Sequence, residues 1–262
     1  MILIESIANY LESLAPATLA EEWDNVGLLV GARQAPVERL MTCLTITEDT
    51  VAEAIDQEAD LIVAHHPLPF KPLKRLTRDT SEGRYLLDLL SKNIAIYSAH
   101  TAFDSAASGI NQRLAEGIGL EKIEPLVAED TDLQLGSGRC GCPAEATTSD
   151  MLVDRIKSFL EIEHLRRVGR ADQTLERVAV ACGSAGSFLE VAQRKGCDAI
   201  LTGETSFHTC LAAEAEGMVM FLTGHFASEH FAMQRLAEDL ADHFSELKVW
   251  ASRNEKDPLQ LI

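Results

Sequence analysis

The sequence is short of basic residues, of aromatic residues and of long apolar runs. Lysine and arginine number 23 against 41 aspartates and glutamates, so the 262-residue chain has a formal net charge of −18. A chain this acidic is a poor general binder of nucleic acid or of anionic membranes. Its apolar runs fall short of the roughly 20 residues that a membrane-spanning helix needs. The N-terminal stretch lacks a basic region before an apolar one, so we expect no signal peptide and a cytoplasmic protein.

The six cysteines lack the spacing of a zinc ribbon. Cys140 and Cys142 form one close pair, but no second pair follows at zinc-site spacing. Thiols stay reduced in the cytoplasm, and a thiol within an apolar run acts as a small hydrophobic side chain. We therefore interpret Cys140 and Cys142 as loop or core thiols rather than metal ligands.

Short apolar runs that alternate with helical periodicity predict an α/β fold. The chain is long enough for one large domain or two modest ones. The predicted strands cover residues 26–30, 40–46, 61–64, 94–98, 178–181, 199–202, 219–222 and 247–251. The predicted helices cover residues 3–14, 49–58, 82–92, 108–117, 149–161, 186–195, 206–216 and 227–243.

An internal repeat is the most informative pattern. Residues 39–70 and 177–208 both run strand, polar turn, helix and strand, with an aspartate just before the second strand. Residues 93–104 and 218–229 are both apolar strands followed by a histidine, with a carboxylate four residues later. Repeats of this kind predict two related α/β halves that face each other, with mixed sheets covered by helices.

Histidines and carboxylates follow the predicted strands. Ligands of open α/β sheets bind outside the carboxyl ends of the strands, so we expect these side chains to converge. Imidazole and carboxylate suit Zn, Fe, Mn, Ni or Co without selecting among them. Their number exceeds the needs of one tetrahedral ion, which favours two ions sharing a bridging carboxylate. The residues are His65, His66, His100, Asp104, Glu204, His225 and Glu229.

Three motifs in order carry a resemblance to a known family. HHP at 65–67, HTAFD at 100–104 and GHFASE at 224–229 resemble the NIF-three-like dinuclear metal-centre family, whose members are often named GTP cyclohydrolase I type 2 homologues. The likeness extends to EEWDNVGLLVG at 21–31 and TGETSFH at 202–208. The last segment has TGE where the family commonly has TGD. That carboxylate is not one of the usual metal ligands of the family.

The resemblance implies a ligand set for two divalent ions per chain. His66 and Asp104 would hold one ion, His65 and His225 the other, and Glu229 would bridge both. The metal site would lie at the C-terminal ends of the strands, in the cleft between the halves. We assign residues 1–125 plus 225–262 to the first domain, which carries most ligands, and 126–224 to the second, its pseudo-repeat.

The resemblance also implies an activity and an assembly. The activity is that of GTP cyclohydrolase I, in which the imidazole ring of guanine is opened by water, formate leaves and a dihydropterin triphosphate forms. Phosphoester or amide hydrolysis is a related possibility, and a metal-binding scaffold or regulator without catalysis is the alternative. The implied assembly is a ring-shaped homohexamer.

Two histidines and one glutamate are candidates for proton transfer. His100 is either a further ligand or a proton shuttle, since histidine titrates near neutral pH. Glu204 and His208 are candidate acid–base groups, and the alternative for both is a structural hydrogen-bond network.

Two other segments have both a functional and a structural interpretation. Trp23-Asp24-Asn25 either shapes the cavity or is a turn leading into a strand. The basic segment within 71–84 either collects a substrate phosphate or is a solvated loop or subunit contact. Its basic residues are Lys71, Lys74, Arg75, Arg78 and Arg84.

Overall fold

A computed structural model describes residues 1–129 and 132–260 of the chain. Contacts divide the chain into two compact units. Unit 1 comprises Met1–Phe103 and the chain from Ala232 onward, and unit 2 comprises Asp104–Phe231. The predicted domains have their boundaries near 125 and at 225 instead. The difference arises because residues 104–125 supply a helix and part of an edge strand to unit 2.

Short strands and helices alternate along both units. The strands are β1 (Ile2–Leu3), β2 (Gly27–Val30), β3 (Pro36–Val37), β4 (Arg39–Cys43), β5 (Leu61–Ala64), β6 (Ala95–Ser98), β7 (Leu120–Ala128), β8 (Gly136–Pro143), β9 (Thr147–Thr148), β10 (Arg166–Val168), β11 (Thr174–Leu175), β12 (Val178–Ala181), β13 (Ala199–Thr202), β14 (Val219–Leu222) and β15 (Lys248–Ala251). The α-helices are α1 (Ile4–Leu14), α2 (Glu48–Asp56), α3 (Ser81–Ser91), α4 (His100–Ser105), α5 (Ile110–Gly117), α6 (Ser149–Leu160), α7 (Leu189–Arg194), α8 (Phe207–Ala215) and α9 (His225–His243).

Each unit contains one mixed sheet. In unit 1 the strand order is β15-β4-β5-β6-β2, with the first four strands parallel and β2 antiparallel to β6. In unit 2 the order is β10-β14-β13-β12-β8-β7, in which β14, β13 and β12 are parallel and the flanking strands antiparallel. Helices and mixed sheets confirm the predicted α/β class.

The parallel strands of unit 2 are buried on both faces. Val178 and Val180 of β12 pack in one hydrophobic cluster, and Ala179 packs in a second. Leu201 and Ile200 of β13 divide between the two clusters in the same way. Since successive side chains of a strand point to opposite faces, both faces of this sheet are covered. This explains why these strands are continuous apolar runs in the sequence.

The stretch 124–150, in which the sequence predicts a domain boundary, instead contains part of a long antiparallel hairpin. β7 and β8 pair from Leu120 opposite Pro143 to Ala128 opposite Gly136. Gly136 has a φ of +138°, and a Cβ there would overlap the carbonyl oxygen of Val127. Glycine in β8 is thus needed for close strand approach, although glycine in a sequence normally argues against a strand.

Hydroxyl side chains begin four of the helices. Thr47, Thr80, Thr148 and Ser206 each accept a hydrogen bond from the backbone N–H three residues later, at the starts of α2, α3, α6 and α8. Such caps satisfy N–H groups that a helix cannot pair internally, and they fix where each helix starts. Among the described residues, no helix has both the length and the apolar character that crossing a bilayer requires.

Candidate metal centre

His65 and His66 continue directly from the most buried strand of unit 1. All four residues of β5 are buried, between β4 and β6. The N–H groups of His65 and His66 donate to the carbonyls of Cys43 (3.0 Å) and Leu44 (2.8 Å), so the pairing with the chain of β4 extends beyond the strand. His65 is 1% exposed, whereas His66 is half-buried. The sheet therefore fixes both imidazoles at its C-terminal edge.

His100 joins them from the neighbouring strand. It follows β6, begins α4 and has a φ of +28°. His65, His66 and His100 each offer a ring nitrogen, and the three nitrogens lie within 4.8 Å of one another. The ring centroids are separated by 5.1 to 5.6 Å. Three imidazoles at this spacing fit a divalent transition-metal ion.

Asp24 orients His100. The Nδ1–H of His100 donates to Asp24 Oδ1 at 2.8 Å, while Thr101 donates its N–H and hydroxyl to Oδ2 at 3.1 and 2.5 Å. Burial alone would raise the pKa of Asp24, but these hydrogen bonds outweigh it and lower the pKa to about 2. The ionised carboxylate can only accept, so the proton of a neutral His100 is on Nδ1 and the lone pair is on Nε2. Metal-binding histidines are commonly held this way.

His66 has a different partner. Its Nδ1 lies 2.7 Å from the hydroxyl of Thr45, which follows β4. A hydroxyl donates or accepts, so this contact fixes the ring plane without imposing a charge. Two of the three imidazoles in unit 1 are thus positioned through Nδ1.

In unit 2, His225 lies between two carboxylates. It follows β14 as the first residue of α9, and its Nε2 is 3.1 Å from Glu229 Oε2, one turn along the helix. Its Nδ1 is 3.0 Å from Oε1 of Glu204, which follows β13. The hydrogen bond to Glu229, opposed by burial but reinforced by both negative charges, raises the pKa of His225 to about 9. The carboxylates of Glu204 and Glu229 on either side of His225 therefore make a position that favours a positive charge.

Glu229 is 3% exposed, and the backbone around it is tightly packed. Gly183 has a φ of +65°, and a Cβ at this position would overlap Oε1 of Glu229. The N–H of Gly183 donates to Ser228 Oγ at 2.9 Å, and that hydroxyl donates to the carbonyl of His225 at 2.8 Å. The carboxylate therefore occupies space that any side chain at 183 would take.

Asp104 lies beside a thiol of the same unit. The Cys182 thiol donates to Asp104 Oδ1 at 3.3 Å, and Asn111 Nδ2 donates to the Asp104 carbonyl at 3.1 Å. Burial, with the charges of Asp104 and Glu229, raises the pKa of Cys182. Cys182 is therefore a neutral hydrogen-bond donor to a carboxylate of the predicted ligand set.

Comparisons with known proteins identify the family. The family model described as Duf34/NIF3 (NGG1p interacting factor 3) matches residues 2–258. The chain belongs to the Duf34/NIF3 family. A Clostridium acetobutylicum protein named GTP cyclohydrolase 1 type 2 homolog is 34% identical over 260 residues, covering 97% of each chain. NIF3-like protein 1 of Drosophila melanogaster is 33% identical over 264 residues, covering 99% of this chain and 89% of its own. The crystal structure of Staphylococcus aureus protein SA1388 has a TM-score of 0.91 at 26% identity, covering 100% of this chain and 99% of that one.

Membership of the Duf34/NIF3 family confirms the resemblance drawn from the three motifs. The predicted site residues fall into one cluster in each unit. The cluster of unit 1 contains His65, His66 and His100, and that of unit 2 contains Asp104, Glu204, His225 and Glu229. His208 is exposed near the start of α8, 6.1 Å from the ring of Phe207. Among the described residues, His208 makes no hydrogen bond to either cluster.

Sequence reasoning about this Duf34/NIF3 chain missed three positioning residues. Asp24 lies in a stretch singled out for its motif, but its bond to His100 spans 76 residues of chain. Thr45 and Cys182 were not singled out as site residues. Cys182 directly follows β12, so the same strand-end rule that selected the histidines would have found it.

Proposed function

We propose that this protein binds two divalent metal ions through His65, His66, Asp104, His225 and Glu229 and is a metal-dependent hydrolase. The observation that carries the proposal is the meeting of three imidazole nitrogens within 4.8 Å at the ends of two neighbouring strands of unit 1. Three protonated imidazoles at this spacing would repel one another, whereas a shared cation would attract the lone pairs of all three neutral rings. The donor set suits Zn, Fe, Mn or Ni.

The surrounding residues have definite chemical roles in this proposal. Ions bound there supply Lewis acidity and a water molecule of lowered pKa. His100 is held through Nδ1 by Asp24, so its Nε2 is placed either to bind an ion as a further ligand or to take up or release a proton. Glu204 orients His225 through Nδ1, and burial of Glu229 strengthens the attraction of this carboxylate for a cation. His208 remains a candidate acid–base group.

We propose a purine nucleotide as substrate and hydrolytic opening of the purine imidazole ring as the reaction. The support is the name of relatives such as the Clostridium acetobutylicum GTP cyclohydrolase 1 type 2 homolog. We further propose that the two units are related halves and that the protein assembles as a homohexamer, which light scattering would test.

Elemental analysis is the first experiment. Untagged wild-type protein is compared with the His65→Ala/His66→Ala double variant, with His164→Ala as control because His164 is exposed on the surface. We expect about two ions per chain in the wild type and in the control, and a loss in the double variant. Equal metal content in all three proteins would refute the ligand assignment.

Formate release from GTP then tests catalysis. Turnover that requires bound metal and falls in His100→Ala supports the hydrolase. Full metal occupancy without turnover of GTP or of phosphoester and amide substrates would leave the metal-binding scaffold as the function.

A further inference from the structure

Two of the few aromatic side chains of the protein are exposed side by side in unit 1. Trp23 is 60% exposed and Phe70 is 42% exposed, and their ring centroids are 5.9 Å apart with an angle of 43° between the planes. Single exposed apolar residues are common, but adjacent exposed aromatic rings form a surface that favours covering by a ligand or partner.

This aromatic pair adjoins the histidine cluster. The centroid of the His100 ring lies 6.0 Å from that of Trp23 and 6.1 Å from that of Phe70, and the planes meet at 75° in both cases. His100 is therefore close to both rings, and a flat molecule stacked on either ring would lie near its imidazole. Aromatic ligands commonly contact proteins through both stacking and edge-on geometries.

Hydrogen bonds hold both loops that carry the rings. Asn25 Nδ2 donates to the Pro69 carbonyl at 2.7 Å, which joins the residue two positions after Trp23 to the one before Phe70. The backbone N–H of Asp24 donates to the carbonyl of Glu21 at 2.9 Å. The pair is thus ordered before a ligand arrives, which lowers the entropic cost of binding.

The chain after Phe70 supplies positive charge. Lys71, Lys74 and Arg75 are exposed and follow Phe70 directly, in a protein whose net charge is −18. A ligand with a flat ring and an anionic group matches an aromatic pair followed by cationic side chains. Nucleotides combine these two features.

We propose that Trp23 and Phe70 form a stacking platform for the base of a purine nucleotide, with its phosphate held by the basic residues that follow Phe70. The proposal rests on the proposed function, because it places the ring to be hydrolysed beside His100. It assigns Trp23 and Phe70 to substrate binding rather than to metal binding.

Binding of guanosine monophosphate tests the platform. Its affinity for full-length protein is measured by calorimetry for wild type, Trp23→Leu, Trp23→Phe and Trp250→Phe. Trp250 is the matched control, because its Nε1 donates to Glu53 away from the platform. We expect Trp23→Leu to weaken binding roughly 10-fold to 100-fold, the usual range for a lost stacking partner, and both phenylalanine variants to stay near wild type.

Tryptophan fluorescence gives an independent readout. The chain has two tryptophans, so Trp250→Phe leaves Trp23 as the sole indole. Guanosine monophosphate should quench this signal, guanosine should quench it with weaker affinity, and ribose 5-phosphate should not. Equal binding of ribose 5-phosphate and guanosine monophosphate would overturn the proposal, since the ring would then contribute nothing.

Two further results separate this proposal from the others. Metal content of Trp23→Leu should equal that of wild type. If the purified protein takes up no metal, the metal centre is refuted. Quenching by the nucleotide in that same protein would still support the platform. A change of oligomer size in Trp23→Leu with unchanged nucleotide affinity would show a subunit contact and overturn the platform.

Discussion

Units 1 and 2 use the same hydrogen bonds to build their parallel strands but end those strands in different chemistry. Asp60 Oδ2 accepts the backbone N–H groups of residues 38 and 39, at 2.8 and 2.9 Å. Asp198 Oδ2 accepts those of residues 176 and 177, at 2.6 and 2.9 Å. Asp60 precedes β5 and binds the backbone at the start of β4. Asp198 precedes β13 and binds the backbone just before β12. This pair of backbone hydrogen bonds is therefore common to both segments.

The strand ends differ. His66 in unit 1 occupies the position of Glu204 in unit 2 in the aligned segments. The histidine of the next strand is nevertheless held through Nδ1 in both units, His100 by Asp24 at 2.8 Å and His225 by Glu204 at 3.0 Å. In unit 1 this carboxylate is Asp24, which lies in a loop distant in sequence. The end of β5 therefore carries the imidazole of His66 instead of a carboxylate. Strands that begin with the same aspartate contact thus end beside three histidines in unit 1 and mainly beside carboxylates in unit 2.

The largest expected effect is at Glu229. We expect Glu229→Gln to weaken metal binding by more than about 100-fold, because the buried carboxylate loses the negative charge that holds a cation. Metal titration of chelator-treated protein measures the change, and circular dichroism checks that the variant is folded. Glu238→Gln is the control, since Glu238 is exposed on the same helix. Undiminished metal binding in Glu229→Gln would remove the bridging assignment.

The two carboxylates that hold histidines should differ in importance. The side chain of Asp24 is fully buried, whereas the side chain of Glu204 is 49% exposed. We expect Asp24→Asn to weaken metal binding by about 10-fold to 100-fold and Glu204→Gln by less, because water replaces a partially exposed partner. The same titration measures both. A larger loss of metal affinity in Glu204→Gln than in Asp24→Asn would contradict this prediction.

The matching contacts of Asp60 and Asp198 predict equal losses in the free energy of unfolding. Replacing Asp60 or Asp198 with alanine leaves two backbone N–H groups without their acceptor. We expect each variant to lower the free energy of unfolding by about 1–3 kcal/mol in urea titrations of metal-free protein. Asp242→Ala, at an exposed site, should be nearly neutral. An effect at one aspartate alone would show that the two segments are not equivalent.

The matching arginines of the two segments also differ in their partners. Arg39 pairs with Glu58 at 2.5 Å, whereas Arg177 also donates to the buried thiol of Cys140 at 3.3 Å. A hydrogen bond from the Cys197 thiol, opposed by burial and aided by Arg177, lowers the pKa of Cys140 to about 6.

An unfolded cysteine has a pKa of about 8.5, so between about pH 6 and 8.5 the unfolded state binds a proton that the folded thiolate lacks. Stability from this site should therefore rise with pH across that window, on the order of 1 kcal/mol per pH unit, and vanish below it. Urea titrations of wild type and Cys140→Ser at both ends of the window measure the difference. Cys142→Ser, two residues along the same strand, is the control. A difference that does not change with pH would contradict the thiolate.

Four of the buried parallel strands were predictable from sequence to the residue. The predicted strands at 61–64, 178–181, 199–202 and 219–222 coincide with β5, β12, β13 and β14, because strands covered on both faces are uninterrupted apolar runs. The hairpin of β7 and β8 was missed, since its charged residues and glycines are typical of loops. The close approach of the two strands explains the glycine at 136.

The site was predictable where it depends on strand ends and was not where it depends on tertiary contacts. The histidines follow apolar runs and can be recognised there. The partners Asp24 and Thr45 approach from other segments, so no local pattern connects them to His100 and His66. An aspartate and a threonine are common residue types, and only their place in the folded chain makes them partners of the two histidines.

The three imidazoles of unit 1 follow strands that form without them. The N–H groups of His65 and His66 are already bonded to the adjoining chain, so their backbone conformation does not depend on an ion. A zinc finger, in contrast, folds only as it binds. Under the proposed function, synthesis and metallation would therefore be separate events, and the same folded chain would exchange one ion for another as the metal supply changes.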